Sequence, residues 1–134
     1  MVTDKGDYLE YYDKTDPDTR KEEAHQIDSY QWITYVYPHF LAWHTKNEGL
    51  KSISEAVRDQ KGGVKKGVSD LIILTGPGYK YPFIAIELKR ANKKGTSVSK
   101  EQKAFLRRVR ECGGFAAVCY GVKQFKLAIA DALK

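Results

Sequence analysis

The spacing of apolar residues along the chain predicts four helices. Apolar and aromatic positions recur at helical spacing in four segments, which are residues 16–38, 50–60, 99–112 and 122–134. The predicted buried stripe of the first helix consists of Ile27, Tyr30, Thr34 and Tyr37, and that of the third consists of Phe105, Val109 and Cys112. Pro38 follows the first stripe directly and is expected to end that helix.

Four shorter apolar runs predict strands between these helices. They lie at residues 39–45, 68–74, 83–89 and 115–121. Two glycines flank Pro77 between the second and third runs, which indicates a hairpin. The resulting order of elements predicts an α/β sandwich with a mixed central sheet of about four strands flanked by helices. A chain of 134 residues is expected to form one domain, which we place at residues 17–134.

Residues 1–16 have a different character from the rest of the chain. They are rich in acidic residues and tyrosines, and their apolar positions have little periodicity. We therefore expect an acidic N-terminal arm that becomes ordered on a partner.

The charge of the chain adds a candidate binding surface. The chain has 23 Lys and Arg against 17 Asp and Glu, and residues 89–110 alone contain nine basic residues and one acidic residue. Such a region favours a polyanion such as nucleic acid, although it could also be a solubilising face. The cations expected to contact DNA are Lys65, Lys66, Arg90, Lys93, Lys94, Lys100, Lys103 and Arg107.

The remaining bulk features predict an intracellular protein. Cys112 and Cys119 lie in apolar surroundings and at a spacing that suits neither a disulfide scaffold nor a metal site, so buried thiols in a reducing cytoplasm are expected. The N-terminus lacks the apolar core of a signal peptide. No apolar run approaches the roughly 20 residues that a bilayer requires.

Charged residues in the run 83–89 are the clearest chemical signal. Glu87 and Lys89 share one face of the predicted strand, while isoleucines and a leucine occupy the other. The hairpin partner carries Asp70, so two carboxylates are expected side by side. Because they repel each other without a cation between them, we predict a Mg²⁺ or Mn²⁺ site formed by Asp70, Glu87 and the backbone carbonyl of Leu88. Lys89 could steady charge on a phosphate that reacts there.

Asp70, Glu87, Leu88 and Lys89 together resemble the Asp…Glu-x-Lys signature of PD-(D/E)xK nucleases. Gly67, the Ser99-x-x-Gln102 segment and the Gly113-Gly114 pair make the chain similar to the VRR-NUC (virus-type replication–repair nuclease) domain over about residues 20–130. One departure is Ser69, where the superfamily commonly has proline.

The resemblance implies a restriction-endonuclease-like fold and metal-dependent hydrolysis of phosphodiester bonds. It also implies a glutamate on the first helix and a glutamine after Glu-x-Lys, which by position are Glu23 and Gln102. The catalytic set is then Glu23, Asp70, Glu87, Lys89 and Gln102.

Several of these assignments have structural alternatives. Gln102 lies three residues after Ser99 and could complete a capping box. Glu23 could simply favour a helix start, and Glu22 is its neighbour on a different face of the helix. Asn47 and Glu48 could contact substrate or form a turn. The three histidines are expected to be surface or packing residues.

The sequence contains no recognisable base-reading helix, which favours selection of DNA by shape. The resemblance implies a Holliday-junction or other branched-DNA endonuclease, homodimeric and of phage origin. Two alternatives remain, a non-catalytic DNA-binding module and a restriction-type or tRNA-splicing-like endonuclease.

Overall fold

A computed structural model describes residues 1–46 and 52–134 of the chain. Its strands are β1 (Val2–Asp4), β2 (Leu9–Tyr11), β3 (Leu41–His44), β4 (Leu71–Leu74), β5 (Phe83–Lys89) and β6 (Phe115–Tyr120). Its helices are α1 (Glu22–Val36), α2 (Ile53–Lys61), α3 (Lys100–Glu111) and α4 (Val122–Ala132). The α/β architecture is confirmed, and every helix and strand predicted from the apolar pattern is present.

The central sheet is mixed and has the strand order β1-β2-β6-β5-β4-β3. The β2, β6 and β5 strands run parallel to one another, and the remaining neighbours pair antiparallel. The predicted hairpin is confirmed, with Leu71 opposite Ile86. Helices α1 and α4 cover one face of this sheet, and α3 packs on the other face against β5 and β6.

The sheet contains six described strands rather than about four because residues 1–16 take part in it. The expectation of a separate N-terminal arm is wrong: β1 and β2 form a hairpin, and β2 pairs parallel with β6. Tyr11 is fully buried, and its hydroxyl donates a hydrogen bond of 2.7 Å to Asp131 Oδ2. Strands of three residues are too short to produce a recognisable alternation of apolar and polar positions.

The buried stripe of α1 also differs from the prediction. His25, Ser29 and Ile33 are buried, whereas Ile27 and Tyr30 are exposed. His25 Nδ1 accepts a hydrogen bond of 3.0 Å from the backbone N–H of Val122 at the start of α4. A stripe that contains polar residues is not visible to a search for apolar periodicity, which explains the error.

The inner face of α3 is formed by Leu106 and Val109, and Phe105 is half-buried beside them. Cys119 is fully buried in β6, as expected. Cys112 is exposed, so the expectation that both thiols are buried is wrong. It follows the last residue of α3, where the helix no longer packs on the sheet. Within the described residues no helix is long and apolar enough to cross a membrane.

Candidate active site

Three carboxylates converge where α1, β4 and β5 meet. Glu22 is the first residue of α1, Asp70 immediately precedes β4, and Glu87 lies in β5. One carboxylate oxygen from each of these residues lies within 4.8 Å of the other two. Such a group of oxygen atoms could hold a divalent cation.

The first helix therefore contributes Glu22 to this cluster, and not Glu23. Consecutive residues of a helix project about 100° apart, so only one of two neighbouring side chains can point toward Asp70 and Glu87. Loss of hydration and the nearby Asp70 carboxylate raise the pKa of Glu22. The sequence shows two glutamates at the start of the helix, but it does not show which of them faces the sheet. That choice depends on the rotation of α1 about its axis, which the buried residues His25, Ser29 and Ile33 determine.

Glu87 is a carboxyl group in an environment that disfavours its ionised form. Glu87 is only 2% exposed, and its Oε1 has no hydrogen-bond partner among the described residues. Burial, and then the neighbouring Asp70 carboxylate, raise the pKa of Glu87 to about 9. Lys89 Nζ lies 3.6 Å from Glu87 Oε2 and offsets only part of this effect.

Asp70 is fixed in place by backbone contacts on both sides. Its Oδ2 accepts a hydrogen bond of 2.8 Å from the backbone N–H of Leu88, which ties the carboxylate to β5 between Glu87 and Lys89. Its carbonyl oxygen accepts hydrogen bonds from the backbone N–H of Thr45 and from His44 Nδ1, at 2.8 and 2.9 Å. His44 thus supports the site through the backbone, a role that the sequence did not reveal because the pairing of β3 with β4 creates it.

Gln102 joins the start of α3 to the carboxylate cluster. Its Oε1 accepts from the backbone N–H of Ser99, and its backbone N–H donates to Ser99 Oγ, which completes the capping box. Its Nε2 donates a hydrogen bond of 2.9 Å to Glu87 Oε2. The two alternatives for Gln102 are therefore not exclusive, because opposite ends of one amide group serve them.

Gly67 sets the distance between the Asp70 loop and α3. Its φ is +75°, and a Cβ atom built on it would lie 2.3 Å from the carbonyl carbon of Glu101. A side chain cannot fit there. The close approach of these backbones brings both Asp70 and Gln102 near Glu87.

The sequence matches the VRR-NUC domain family over residues 12–123. The chain belongs to the VRR-NUC family. A solved structure described as a VRR_NUC domain protein superposes with a TM-score of 0.65 and 22% sequence identity. The match covers 87% of this chain and 90% of that one. No curated protein matches the sequence.

Membership of the VRR-NUC family makes this chain a nuclease-type DNA-processing domain, with DNA as its substrate. In this VRR-NUC domain the carboxylates of Asp70 and Glu87, the Lys89 ammonium and the Gln102 amide are gathered at one place. Asn47 and Glu48 lie outside the described residues.

The cations expected to contact DNA differ in whether they already contact protein groups in this VRR-NUC domain. Six of the eight are exposed, and they are Lys65, Lys66, Lys94, Lys100, Lys103 and Arg107. Three of the eight, the exposed Arg107 among them, contact protein groups. Lys93 Nζ lies 2.9 Å from Glu10 Oε2, and Arg107 Nε lies 3.6 Å from Asp7 Oδ1. Arg90 Nη2 donates to the carbonyl of Lys94. Acidic residues of the N-terminal hairpin thus neutralise part of the basic surface.

Proposed function

We propose that this VRR-NUC domain is a metal-dependent, structure-selective endonuclease that hydrolyses phosphodiester bonds in branched DNA such as a four-way junction. The observation that carries the proposal is the convergence of Glu22, Asp70 and Glu87 within 4.8 Å, next to the Lys89 ammonium. A non-catalytic DNA-binding module would require the basic surface, but it would not require a buried Glu87 whose pKa is raised by burial and by the neighbouring Asp70 carboxylate.

The side chains present suit a hard divalent cation, Mg²⁺ or Mn²⁺. Glu22, Asp70 and Glu87 all offer carboxylate oxygens as ligands. The buried Oε1 of Glu87 has no hydrogen-bond partner among the described residues, as expected for an atom that binds a metal ion. We assign Asp70 and Glu87 as ligands, with the carbonyl of Leu88 as a further candidate. Glu22 replaces Glu23 as the glutamate that the first helix contributes to the site. A bound ion would supply a polarised phosphoryl oxygen and a water molecule with a lowered pKa.

The roles of the protein groups follow from their contacts. The Lys89 ammonium would lie close to the reacting phosphate and stabilise negative charge that develops on it. Gln102 holds Oε2 of Glu87 through a hydrogen bond, so Oε1 is directed to the ion. The Leu88 N–H holds Asp70 in the same way. These positioning contacts are present before substrate binds, which reduces the reorganisation needed during the reaction.

The preference for branched DNA rests on what the exposed cations can recognise. Lysines at positions 65, 66, 94, 100 and 103 can contact phosphates, and such contacts orient a DNA backbone without reading its sequence. One chain provides one such site. Cleavage of both strands of a symmetric junction requires two copies, so we propose that the active form is a homodimer.

Incubation with a four-way junction and with a linear duplex of the same sequence tests this proposal. We expect nicking of the junction in Mg²⁺ or Mn²⁺ and a much slower reaction on the duplex. Asp70→Asn should abolish nicking but retain binding. Binding without nicking by the unchanged protein would favour the DNA-binding module, and fixed cut positions on linear duplex would favour a restriction-type enzyme. Two protein chains per junction in sedimentation analysis would support the homodimer.

A further inference from the structure

A groove next to the carboxylate cluster has no role in the hydrolysis itself. It has a volume of about 850 Å³ and lies between α3 and the segment that follows α2. Its apolar lining includes the half-exposed rings of Phe83 and Phe105, together with Val109 and the exposed Val64. Two aromatic rings beside an open groove provide flat surfaces against which another ring can stack.

Cations surround this apolar lining. Lys65, Lys66 and Arg108 all line the groove and are exposed, and Glu101 is the acidic residue among its lining groups. Arg108 also contacts Glu111 through Nη1, at 2.7 Å, on the outer surface of α3. An apolar peptide would gain little from this positive rim, whereas a flexible polyanion with ring-shaped substituents would match both the rim and the lining.

The groove adjoins the candidate active site through α3. Glu101 lines the groove, and the next residue, Gln102, donates its hydrogen bond to Glu87. Gly67 contacts the backbone of Glu101, and it links Lys65 and Lys66 to the Asp70 loop. The groove and the carboxylate cluster thus adjoin along α3, so a nucleic acid strand that has its phosphate at Glu87 can follow this helix to place a base in the groove.

We propose that this groove binds unpaired bases of a single-stranded segment next to the phosphate that is cut. Aromatic rings combined with a cationic rim are the features with which proteins bind single strands, and they do so without strong sequence preference. The inference rests on the proposed function in one respect, because a branch point is where unpaired bases become available close to a cut. Unpaired bases at a branch point are then the feature of DNA structure that the enzyme selects.

Cys112 supplies a direct test, because this residue lines the groove and is exposed, whereas Cys119 is fully buried. The rate at which a thiol reagent modifies Cys112 is measured in the Asp70→Asn protein with chelator, so that no DNA is cut. The probes are an oligothymidylate of about 12 nucleotides and a duplex of the same length. We expect saturating single strand to slow modification about tenfold or more, and the duplex to slow it less than about twofold.

A pair of substitutions tests the same inference through affinity. Ala104 and Ala130 are both exposed alanines on helices, but only Ala104 lines the groove, and Ala130 lies on α4 at the other face of the sheet. Ala104→Glu should weaken binding of the oligothymidylate at least about tenfold in fluorescence anisotropy, and Ala104→Gln should weaken it less. Ala130→Glu introduces the same charge and should bind almost as well as the unchanged protein. Equal losses in the two glutamate variants would overturn the inference.

The outcomes separate this inference from the proposed function. Junction cleavage with an equally reactive Cys112 in the presence and absence of single strand would overturn the groove assignment alone. Protection of Cys112 by single strand, in a protein that cuts no DNA, would overturn the nuclease proposal and retain the groove. Protection that depends on protein concentration without DNA would show that a second copy of the chain occupies the groove, and would also overturn the inference.

Discussion

At the scale of single residues, Glu87 lies in an environment that is unfavourable for stability, and its proposed role as a metal ligand accounts for that environment. A buried carboxyl next to a second carboxylate is unfavourable in the protein alone, and it becomes favourable only when a cation joins the two groups. The pairing of the Glu87 and Asp70 carboxyl groups therefore does not contribute to the stability of the fold. Residues of this kind are where sequence changes can raise stability at the expense of function.

Glu87→Gln should therefore stabilise the metal-free protein by about 1–3 kcal/mol at neutral pH. An amide is neutral and needs no proton, whereas Glu87 must take up a proton at neutral pH to lie buried beside the Asp70 carboxylate. Because the pKa of Glu87 rises from its ordinary 4.5 to about 9 in the folded state, the unchanged protein loses stability as pH increases between these values. The difference in melting temperature between the variant and the unchanged protein, measured with chelator, should therefore grow as pH increases over the same range.

Addition of Mn²⁺ provides the control for Glu87→Gln. The melting temperature of the unchanged protein should rise with the Mn²⁺ concentration, because the ion binds only the folded state. The melting temperature of the variant should stay nearly constant. A variant that is less stable than the unchanged protein across the whole pH window would contradict the assignment of Glu87 as a strained ligand.

The double role of Gln102 leads to a second prediction, in which Ser99→Ala and Gln102→Glu separate the two contacts. Ser99→Ala removes the helix cap and should cost about 1 kcal/mol of stability while DNA nicking continues. Glutamate is a good capping-box partner, so Gln102→Glu should keep the cap. It replaces the donor to Glu87 with another carboxylate, and nicking should fall about 10–100-fold. Comparable nicking by both variants would show that the contact with Glu87 is unimportant.

The residues of the site differ in how far the sequence could reveal them. The sequence could predict Asp70, Glu87 and Lys89, because the alternation of side chains along a strand and the pairing in one hairpin determine where these residues point. The choice between Glu22 and Glu23 depends on the rotation of α1, which is set by His25 and Ser29 packing against distant elements. His44 contributes through its contact with a backbone carbonyl, for which the residue type gives no signal.

At the scale of elements, the close contact between the Asp70 loop and α3 determines the geometry of the site. Gly67→Ala should destabilise the protein by more than the roughly 1–2 kcal/mol that a left-handed backbone alone costs, because its Cβ would overlap the backbone of Glu101. Gly63→Ala is the matched control, since Gly63 also has a positive φ, of +97°, but nothing lies within 4 Å of its Cβ position.

Chemical denaturation of both glycine variants measures this difference. The Gly67 variant should also lose most of the stabilisation by Mn²⁺, because a shifted α3 moves Gln102 away from Glu87. Equal destabilisation of the two variants would indicate that the contact between Gly67 and α3 has no energetic importance.

The elements themselves were predictable where local sequence and tertiary packing agree. The bounds of β5 match the apolar run at residues 83–89, and α3 begins at the Ser99 cap. The N-terminal hairpin was not predictable, since each of its strands is three residues long and β2 becomes stable only by pairing with β6. Its burial depends on a partner strand that local patterns cannot identify.

At the scale of the whole molecule, some cations of the basic surface form ion pairs with acidic residues of the N-terminal hairpin. Lys100→Ala should weaken DNA binding at all sequences and reduce the slope of log K against log salt by about 1. Lys93→Ala should instead lower the stability of the protein by about 1–3 kcal/mol, because Glu10 is buried and would lose its cation. DNA titrations at several salt concentrations and thermal unfolding distinguish the two effects.

An unchanged salt slope in Lys100→Ala would remove this lysine from the DNA surface. A reduced slope with unchanged stability in Lys93→Ala would mean that DNA displaces Glu10 from Lys93. The net charge of residues 89–110 therefore overstates the number of cations available to DNA in the folded protein, and this correction was not accessible from composition.

The pairing of β2 with β6 also has a consequence for how the protein is made. Tyr11 and its partner Asp131 are separated by 120 residues, and β2 cannot complete its pairing until β6 has left the ribosome. The hairpin therefore cannot dock on the sheet before residues Phe115–Tyr120 have been synthesised. Contacts so distant along the chain slow folding. During synthesis, Lys93 and Arg107 are exposed without their acidic partners, so the nascent chain carries a more cationic surface than the finished protein does.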